Sequence, residues 1–425
     1  MQFTKQQIIF SVVAGVIGLL LLAILFGALP GRRESVDMTS LTMWGIDDQR
    51  VWRNTIRDFT AQHPDISIDY KRFEEEDYER ELINALAAGV GPDIAMFHNS
   101  WLLMHEGKIA PAPVEKIIPA TVQSLFPRVV EQDFITSDRI YALPLFIDTL
   151  ALVYNRDLFD QGGVVFPPST WDEVASAVPA LKSIENGILQ RGAFAIGATS
   201  DNTPNAKDIA SAILMQGGSS MVDSRVRNAT FADSEGRRSF SIYTRFADSA
   251  SNAYSWDEYM REGKDAFARG EVAGIFVYAS ERQNLKTRNA FLDIGTAPLP
   301  QLNPEEPVGI ADYWGLTTLS RTNHPGVVWD FIIFATTNQS TAANYMNSTQ
   351  RPPALRTLIN DTLSNPDIGV FATQSLIARG WLQPGEDTVE NAFDEAIRLV
   401  LSGELSADKA IQRAESLVTQ AMEQR

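Results

Sequence analysis

The amino-acid sequence predicts an α/β fold with a mainly parallel sheet, preceded by one membrane-spanning helix. Strand-like apolar stretches alternate with helical patterns early in the polar part of the chain, and the alternation resumes downstream. An uncharged apolar run at the N-terminus predicts the membrane helix.

The N-terminal apolar run covers residues 8–29 and contains no charged side chain. As a helix it rises about 1.5 Å per residue, which is enough to cross about 30 Å of hydrocarbon. Cleavable signal peptides have shorter apolar cores, and residues 26–30 form a poor cleavage site. We therefore predict an uncleaved anchor at 8–29, a cytoplasmic segment at 1–7 and a linker at 30–40. Lys5 on one side and Arg32 and Arg33 on the other leave the orientation open by charge alone.

The first strands and helices follow directly after the linker. Pro64 ends one helical pattern and Gly89 ends the next, as expected for residues that interrupt helices. The predicted elements are a strand at 41–45, a helix at 47–62, a strand at 66–70, a helix at 74–88 and a strand at 93–97.

The downstream half repeats this alternation. Thr170 is a predicted N-cap, because Asp172 and Glu173 follow it where negative charge favours a helix start. The other predicted elements are an extended run at 141–154, helices at 206–215 and 257–268, strands at 272–278, 294–299 and 314–320, and a helical C-terminus from 388 with a break near 402–403.

Charge and cysteine content exclude several classes of protein. The formal net charge of −17 repels phosphate backbones, so nucleic acid is not an expected partner. The chain has no cysteine, which excludes disulfides, thiolate nucleophiles and iron–sulfur clusters. The four histidines are scattered without metal-binding spacing, and no phosphate-binding loop or nucleophile elbow is present, so we predict no metal, no cofactor and no catalytic residue.

A set of short motifs runs in order along almost the whole chain after the anchor. The motifs occupy residues 41–45, 59–66, 87–94, 141–144, 152–159, 167–173, 266–273, 297–300 and 324–332. In order and spacing this set resembles the family 1 extracellular solute-binding proteins, the maltose-binding-protein-like group of ABC importers. The resemblance implies a two-lobe periplasmic-binding-protein-like (type II) fold with a hinge.

The resemblance also implies that each lobe is discontinuous in sequence. The chain is expected to cross the hinge near Thr149, Pro300 and Arg351. Lobe 1 is then 41–148 with 301–350, and lobe 2 is 149–300 with 351–425.

The function implied by the resemblance is capture of a small polar solute, a sugar or oligosaccharide, outside the cytoplasm. Its expected partners are the transmembrane subunits of an ABC permease, which read the closed form, and the membrane through the N-terminal helix. Two alternatives stay open, an anchored carbohydrate hydrolase and a ligand-sensing adaptor of the same fold.

Ligands meet the carboxyl ends of strands in such sheets, and in lobe 1 this rule selects the residues after the first strand, the residues after Met96, and Asp148. Asp148 and Phe97 match cleft residues of the family, and Trp314 is either a stacking surface or part of the core. The departure at Tyr278, where the family often has a tryptophan nearby, leaves a maltodextrin ligand in doubt. The full set is Trp44, Asp47, Asp48, Phe97, His98, Asn99, Asp148, Asn202, Tyr278, Ser280, Tyr313, Trp314 and Arg351, with Trp381 as a further candidate.

Overall fold

The computed structural model describes residues 4, 5, 10, 12–19 and 38–424. The predicted anchor at 8–29 therefore lies largely outside the described residues, although residues 12–19 are described and are helical. Within the described parts of the chain, no helix combines the length and the apolar character needed to cross a bilayer.

Sixteen strands lie in the described part of the chain. In chain order they are β1 (Thr39–Gly45), β2 (Ile66–Arg72), β3 (Ile94–His98), β4 (Ile109–Ala110), β5 (Ile135–Thr136), β6 (Arg139–Ile140), β7 (Leu143–Pro144), β8 (Asp148–Thr149), β9 (Ala151–Asn155), β10 (Ser183–Glu185), β11 (Ile188–Phe194), β12 (Val272–Val277), β13 (Ile294–Pro298), β14 (Gly309–Asp312), β15 (Trp314–Leu319) and β16 (Ala378–Arg379).

The α-helices from residue 38 onward surround these strands. In chain order they are α1 (Gln49–Gln62), α2 (Glu75–Ala88), α3 (Leu102–His105), α4 (Pro119–Leu125), α5 (Arg128–Phe134), α6 (Arg156–Gln161), α7 (Trp171–Leu181), α8 (Ala206–Gln216), α9 (Ser234–Thr244), α10 (Gly263–Ala268), α11 (Ala279–Arg288), α12 (Pro325–Thr337), α13 (Gln339–Thr349), α14 (Arg356–Asp361), α15 (Gly369–Gln374), α16 (Glu386–Leu401) and α17 (Ala407–Glu423).

Lobe 1 is built on a sheet with strand order β2-β1-β3-β15-β4, and β7 also pairs with β15. Strands β1, β2 and β3 are parallel, whereas β15 returns antiparallel to β3. Leu41 and Met43 of β1 are fully buried and alternate with more exposed residues, so one face of this edge of the sheet packs on the core. The largest side chains of that core include Trp52, Phe59 and Trp329.

Lobe 2 is built on a second sheet with strand order β10-β11-β12-β9-β13. Every residue of the central strand β12 is buried, which is expected for a strand covered by helices on both faces. Trp171 and Phe276 pack ring against ring on one side of this sheet, and Trp256 and Phe267 belong to a second cluster of the same lobe.

A small sheet with strand order β16-β14-β8 joins the two lobes. The lobe 1 core includes Ile147, and the lobe 2 core includes Leu150, and we propose that the chain first crosses between the lobes at Thr149. Leu150 N–H donates to the Ile310 carbonyl, which ties the outgoing strand to the returning one.

The return crossing lies at 310–311, because Ile310 packs in the lobe 2 core and Ala311 in the lobe 1 core. The predicted position was residue 300. Leu358, beyond the third predicted crossing at 351, still belongs to the lobe 1 core. We therefore propose lobe bounds that follow the cores rather than the predicted bounds.

Local signals placed most helix ends correctly. The Thr170 hydroxyl accepts from Glu173 N–H, and Gly89 ends α2 at a φ of 76°, a conformation that favours glycine. The helix predicted at 257–268 is wrong in its first half, because only Gly263–Ala268 is helical. The Asp257 carboxylate instead accepts from Tyr259 and Met260 N–H groups, which holds this segment as a turn.

Candidate functional site

Three adjoining cavities lie between the two lobes and share the lining residues Asp312 and Glu386. Their volumes are about 940, 20 and 570 Å³, and together we call them the interlobe crevice. The hinge strand β14 contributes Asp312, and the first turn of α16 contributes Glu386. Both lobes therefore supply side chains to one continuous opening.

His98 and Asp312 form the closest charged pair in the centre of the crevice. His98 Nε2 lies 2.5 Å from Asp312 Oδ1, and His98 Nδ1 lies 2.7 Å from the Ser100 hydroxyl. Burial disfavours protonation of His98, but the charge and hydrogen bond of Asp312 outweigh it and raise the His98 pKa to about 9. Burial likewise opposes ionisation of Asp312, yet the positive charge of His98 overrides it and lowers the Asp312 pKa. The pair is therefore ionised at neutral pH.

A second charged group lies on the lobe 2 side of the crevice. The buried Lys207 Nζ is 2.8 Å from Glu386 and 3.5 Å from Asp208, and the Tyr278 hydroxyl donates to Asp208 over 3.0 Å. Burial raises the pKa of Asp208 to about 6, even though Lys207 acts in the opposite direction. This cation holds two carboxylates in fixed positions at the crevice surface.

An aromatic wall closes the crevice on the lobe 1 side. Trp101 and Trp314 pack edge to face with ring centroids 5.0 Å apart, and both line the same cavity. Glu75, in the first turn of α2, lies in that wall, and burial followed by the charge of Asp312 raises its pKa. Flat aromatic surface and carboxylates thus occur side by side.

Five of the sequence-predicted site residues line the crevice. They are His98, Asn99, Tyr278, Trp314 and Trp381. They come from two lobes and from distant parts of the chain, with His98 and Tyr278 180 residues apart, and the fold brings them to one opening. Their contact with a ligand remains a prediction.

Four other predicted residues lie in lobe 1 or near the third crossing and do not line the three cavities. Asp47 accepts from the Tyr345 hydroxyl and forms a 2.8 Å ion pair with Arg351, whose guanidinium stacks over Phe146. The other two are Trp44, which packs on Phe73, and Asp48, which caps α1 and accepts from Arg50. The hydrogen bonds from Arg50 lower the pKa of Asp48 to about 2.

Phe97 and Tyr313 are in the core of lobe 1. Phe97 is buried between Trp101 and Phe134, and the Tyr313 hydroxyl donates to the buried Asp133 over 3.0 Å. Burial raises the pKa of Asp133 to about 7. Both aromatic residues support the crevice wall from behind.

Asp148 is fully occupied by backbone donors. Its carboxylate accepts from the N–H groups of Thr149, Ala279 and Ser280 at 2.9–3.1 Å. Two of these donors belong to the first turn of α11, so Asp148 fastens that helix to the hinge strand β8. Burial raises the Asp148 pKa to about 7.

Asn202 also has a framework position, since its amide donates to the carbonyls of Asp257 and Met260. Ser280 is exposed at the start of α11 and reaches Asp148 through its backbone N–H alone. Neither residue lines the crevice cavities.

The charged centre of the site was not predicted from the sequence. Asp312, Lys207, Asp208 and Glu386 were not among the candidates, although they line the crevice. Two of them had a usable signal, because Asp312 ends a strand and Glu386 opens a helix after Pro384-Gly385. Lys207 and Asp208 lie in the first turn of a helix, where sequence alone predicts an ordinary exposed surface.

Among the residues that the structure describes, no group of histidine, aspartate and glutamate side chains is arranged to hold a metal ion. The carboxylates of the crevice are instead paired with cations or face the opening. The arrangement presents hydrogen-bond acceptors, a few donors and two indole faces to a bound molecule.

Comparison with known proteins identifies relatives of this chain. The sequence profile of the family described as bacterial extracellular solute-binding proteins matches residues 45–342, most of the chain. A binding protein of Brucella abortus (strain 2308) is 21% identical over 126 residues, which are 30% of this chain and 31% of that protein. The chain thus aligns with about a third of the length of the Brucella relatives.

Longer matches cover both lobes. The maltotriose-binding protein of Pyrococcus abyssi (strain GE5 / Orsay) is 21% identical over 83% of this chain and 75% of its own length. The crystal structure of the cyclic alpha-maltosyl-1,6-maltose binding protein from Arthrobacter globiformis superposes with a TM-score of 0.77 at 18% identity, covering 91% of this chain and 100% of that one. These matches confirm the two-lobe periplasmic-binding-protein-like fold.

Proposed function

This chain belongs to the bacterial extracellular solute-binding protein family, and we propose that it captures a sugar or oligosaccharide in the interlobe crevice. One observation carries the proposal: polar side chains of both lobes and two tryptophans line the same opening. The named ligands of the similar proteins, maltotriose and a cyclic maltosyl-maltose, support the same class of ligand.

The chemistry of the crevice suits a neutral molecule with many hydroxyl groups. The carboxylates of Asp312 and Glu386 accept hydrogen bonds from hydroxyls, and Lys207 donates them. The indoles of Trp101 and Trp314 offer apolar surface for the C–H face of a sugar ring. Because both partners of each ion pair are fixed by the protein, the polar groups need little reorganisation when a ligand arrives.

Capture is coupled to the relative position of the lobes. The lobes are joined by short strands, and the crevice is lined by lobe 1 at Trp314 and by lobe 2 at Tyr278. A ligand that contacts both lobes favours the closed arrangement by its difference in affinity for the two states. A dissociation constant of about 1 µM corresponds to roughly −8 kcal/mol.

We extend the proposal to delivery and location. The closed form docks on the transmembrane subunits of an ABC permease outside the cytoplasm, and an N-terminal helix holds the chain at the membrane. The apolar side chains of Phe10 and Leu19 are 79% and 69% exposed, which is consistent with a lipid environment for this segment.

Isothermal titration calorimetry of the full chain tests capture. The probes are D-glucose, maltose, maltotriose, trehalose and sorbitol, and we expect at least one to bind with a micromolar dissociation constant. Asp312→Asn is expected to weaken binding about tenfold. The matched control is Asp330→Asn, which also removes a cation-paired carboxylate of similar exposure, 43% against 40%, but outside the crevice cavities. Absence of binding by a folded protein contradicts capture, and release of glucose from maltotriose supports the hydrolase alternative.

A further inference from the structure

The smallest cavity of the crevice is a polar pocket at the junction of the lobes. His98 and Asn99 line it from lobe 1, Tyr278 and Trp381 from lobe 2, and Asp312 from the hinge. Its volume of about 20 Å³ is enough for one water-sized group and too small for a sugar ring. It opens beside the larger cavities, with which it shares Asp312 and Glu386.

Two side chains of this pocket have a buried polar atom without a protein partner. They are Trp381, whose indole Nε1 is unpaired, and Gln383, whose Oε1 is unpaired. The residues are only 7% and 8% exposed. They lie two positions apart in the loop between β16 and α16, and both line the same cavity. One donor and one acceptor thus stand without a partner on two residues that line this pocket.

The loop that carries these atoms is held in place on both sides. A Cβ atom on Gly380 would overlap the Asp133 carboxylate, so the backbone lies directly against lobe 1 at this point. The Trp381 ring packs edge to face on Phe231 in the lobe 2 core. Because its ring is fixed by packing, the indole N–H has one direction available to it.

The donor and the acceptor together select a chemical class. A hydroxyl group accepts from an indole N–H and donates to an amide oxygen, whereas an ammonium group accepts nothing and a carboxylate donates nothing. A buried donor or acceptor left without a partner is costly, so a group that satisfies both is favoured.

We propose that this pocket is a specificity subsite that takes one hydroxyl group of the captured ligand, which accepts from Trp381 Nε1 and donates to Gln383 Oε1. The inference rests on the proposed capture function. It narrows the expected ligands to sugars and polyols with a hydroxyl group that reaches into this smallest cavity of the crevice.

The test compares Trp381→Phe and Gln383→Leu with the native full chain. Each substitution removes one hydrogen-bonding group and keeps most of the side-chain volume. For whichever of D-glucose, maltose, maltotriose, trehalose and sorbitol binds, we expect a dissociation constant about tenfold higher in either variant. In the double variant the dissociation constant should rise by less than the product of the two single increases, because both side chains contact the same hydroxyl group.

Trp329→Phe is the matched control. Trp329 is also a buried tryptophan with an unpaired Nε1, but it lies in the lobe 1 core outside the crevice cavities. We expect Trp329→Phe to lower the thermal stability about as much as Trp381→Phe does, without changing the affinity for the bound probe. If no probe binds a folded native chain, the capture function itself fails. If a probe binds and its affinity changes less than twofold in both crevice variants, only the subsite proposal is overturned.

Discussion

The ion pair between His98 and Asp312 makes the sharpest electrostatic prediction. His98 has a pKa of about 9 against an ordinary value of 6.5, and the difference corresponds to roughly 3 kcal/mol of interaction. Burial is the largest influence on this histidine and acts to lower its pKa. Replacing Asp312 by asparagine removes the opposing charge, so the His98 pKa should fall from about 9 to below 6.5.

The measurement is a side-chain NMR titration of the four histidines from pH 5 to pH 10, with His98 assigned from the signal lost in His98→Gln. Asp330→Asn is the control, since it leaves the native His98 titration unchanged. A His98 that still titrates near pH 9 in Asp312→Asn, or near 6.5 in the native protein, contradicts the electrostatic explanation.

The same pair predicts how stability depends on pH. Because the folded-state pKa of His98 lies above its unfolded value, its contribution is fully present below pH 6.5 and is lost as pH rises through about 9. The contribution is at most about 3 kcal/mol and is reduced by salt, since the Asp312 side chain is 40% exposed. Urea midpoints should therefore fall between pH 6.5 and 9 in the native protein more than in Asp312→Asn.

Three further substitutions test the packing and charge of the fold. Lys207→Met leaves the carboxylates of Asp208 and Glu386 without their cation, and Asp208 already has a pKa of about 6. We therefore expect urea unfolding to show a loss of about 3–5 kcal/mol in the free energy of unfolding at pH 8 and partial recovery at pH 5. Lys207→Arg should retain most of the stability. An equal loss at both pH values contradicts this reasoning. Gly236→Ala drives a Cβ atom into the Phe231 carbonyl oxygen and should cost about 1–3 kcal/mol in a thermal melt, whereas Gly107→Ala, which meets nothing within 4 Å, should cost little. Asp148→Ala frees three backbone N–H groups and should lower stability by about 2–3 kcal/mol; unchanged stability with weaker sugar binding would instead identify Asp148 as a ligand contact.

The sequence predicted the framework of this fold well because the framework depends on local signals. The strand-like apolar stretch at 41–45 gave β1, and caps such as Thr170 and stops such as Gly89 gave the helix ends. The helix at 257–268 failed because the Asp257 side chain competes for backbone donors, which periodicity does not reveal.

The site was only partly predictable because it depends on which residues meet across the hinge. His98 followed from the rule about strand ends, but the same rule selected Phe97, which packs in the core. Lys207 could not be found, since its burial arises from contact with Glu386, far along the chain.

Distance measurement between the lobes tests ligand capture most directly. The chain has no cysteine, so spin labels can be placed at Asn54→Cys on α1 and Lys409→Cys on α17, both exposed positions on opposite lobes. Double electron–electron resonance with and without a bound sugar from the panel should show a shorter and narrower distance distribution when the sugar is present. Sugar binding with no change in that distribution would contradict capture by lobe closure.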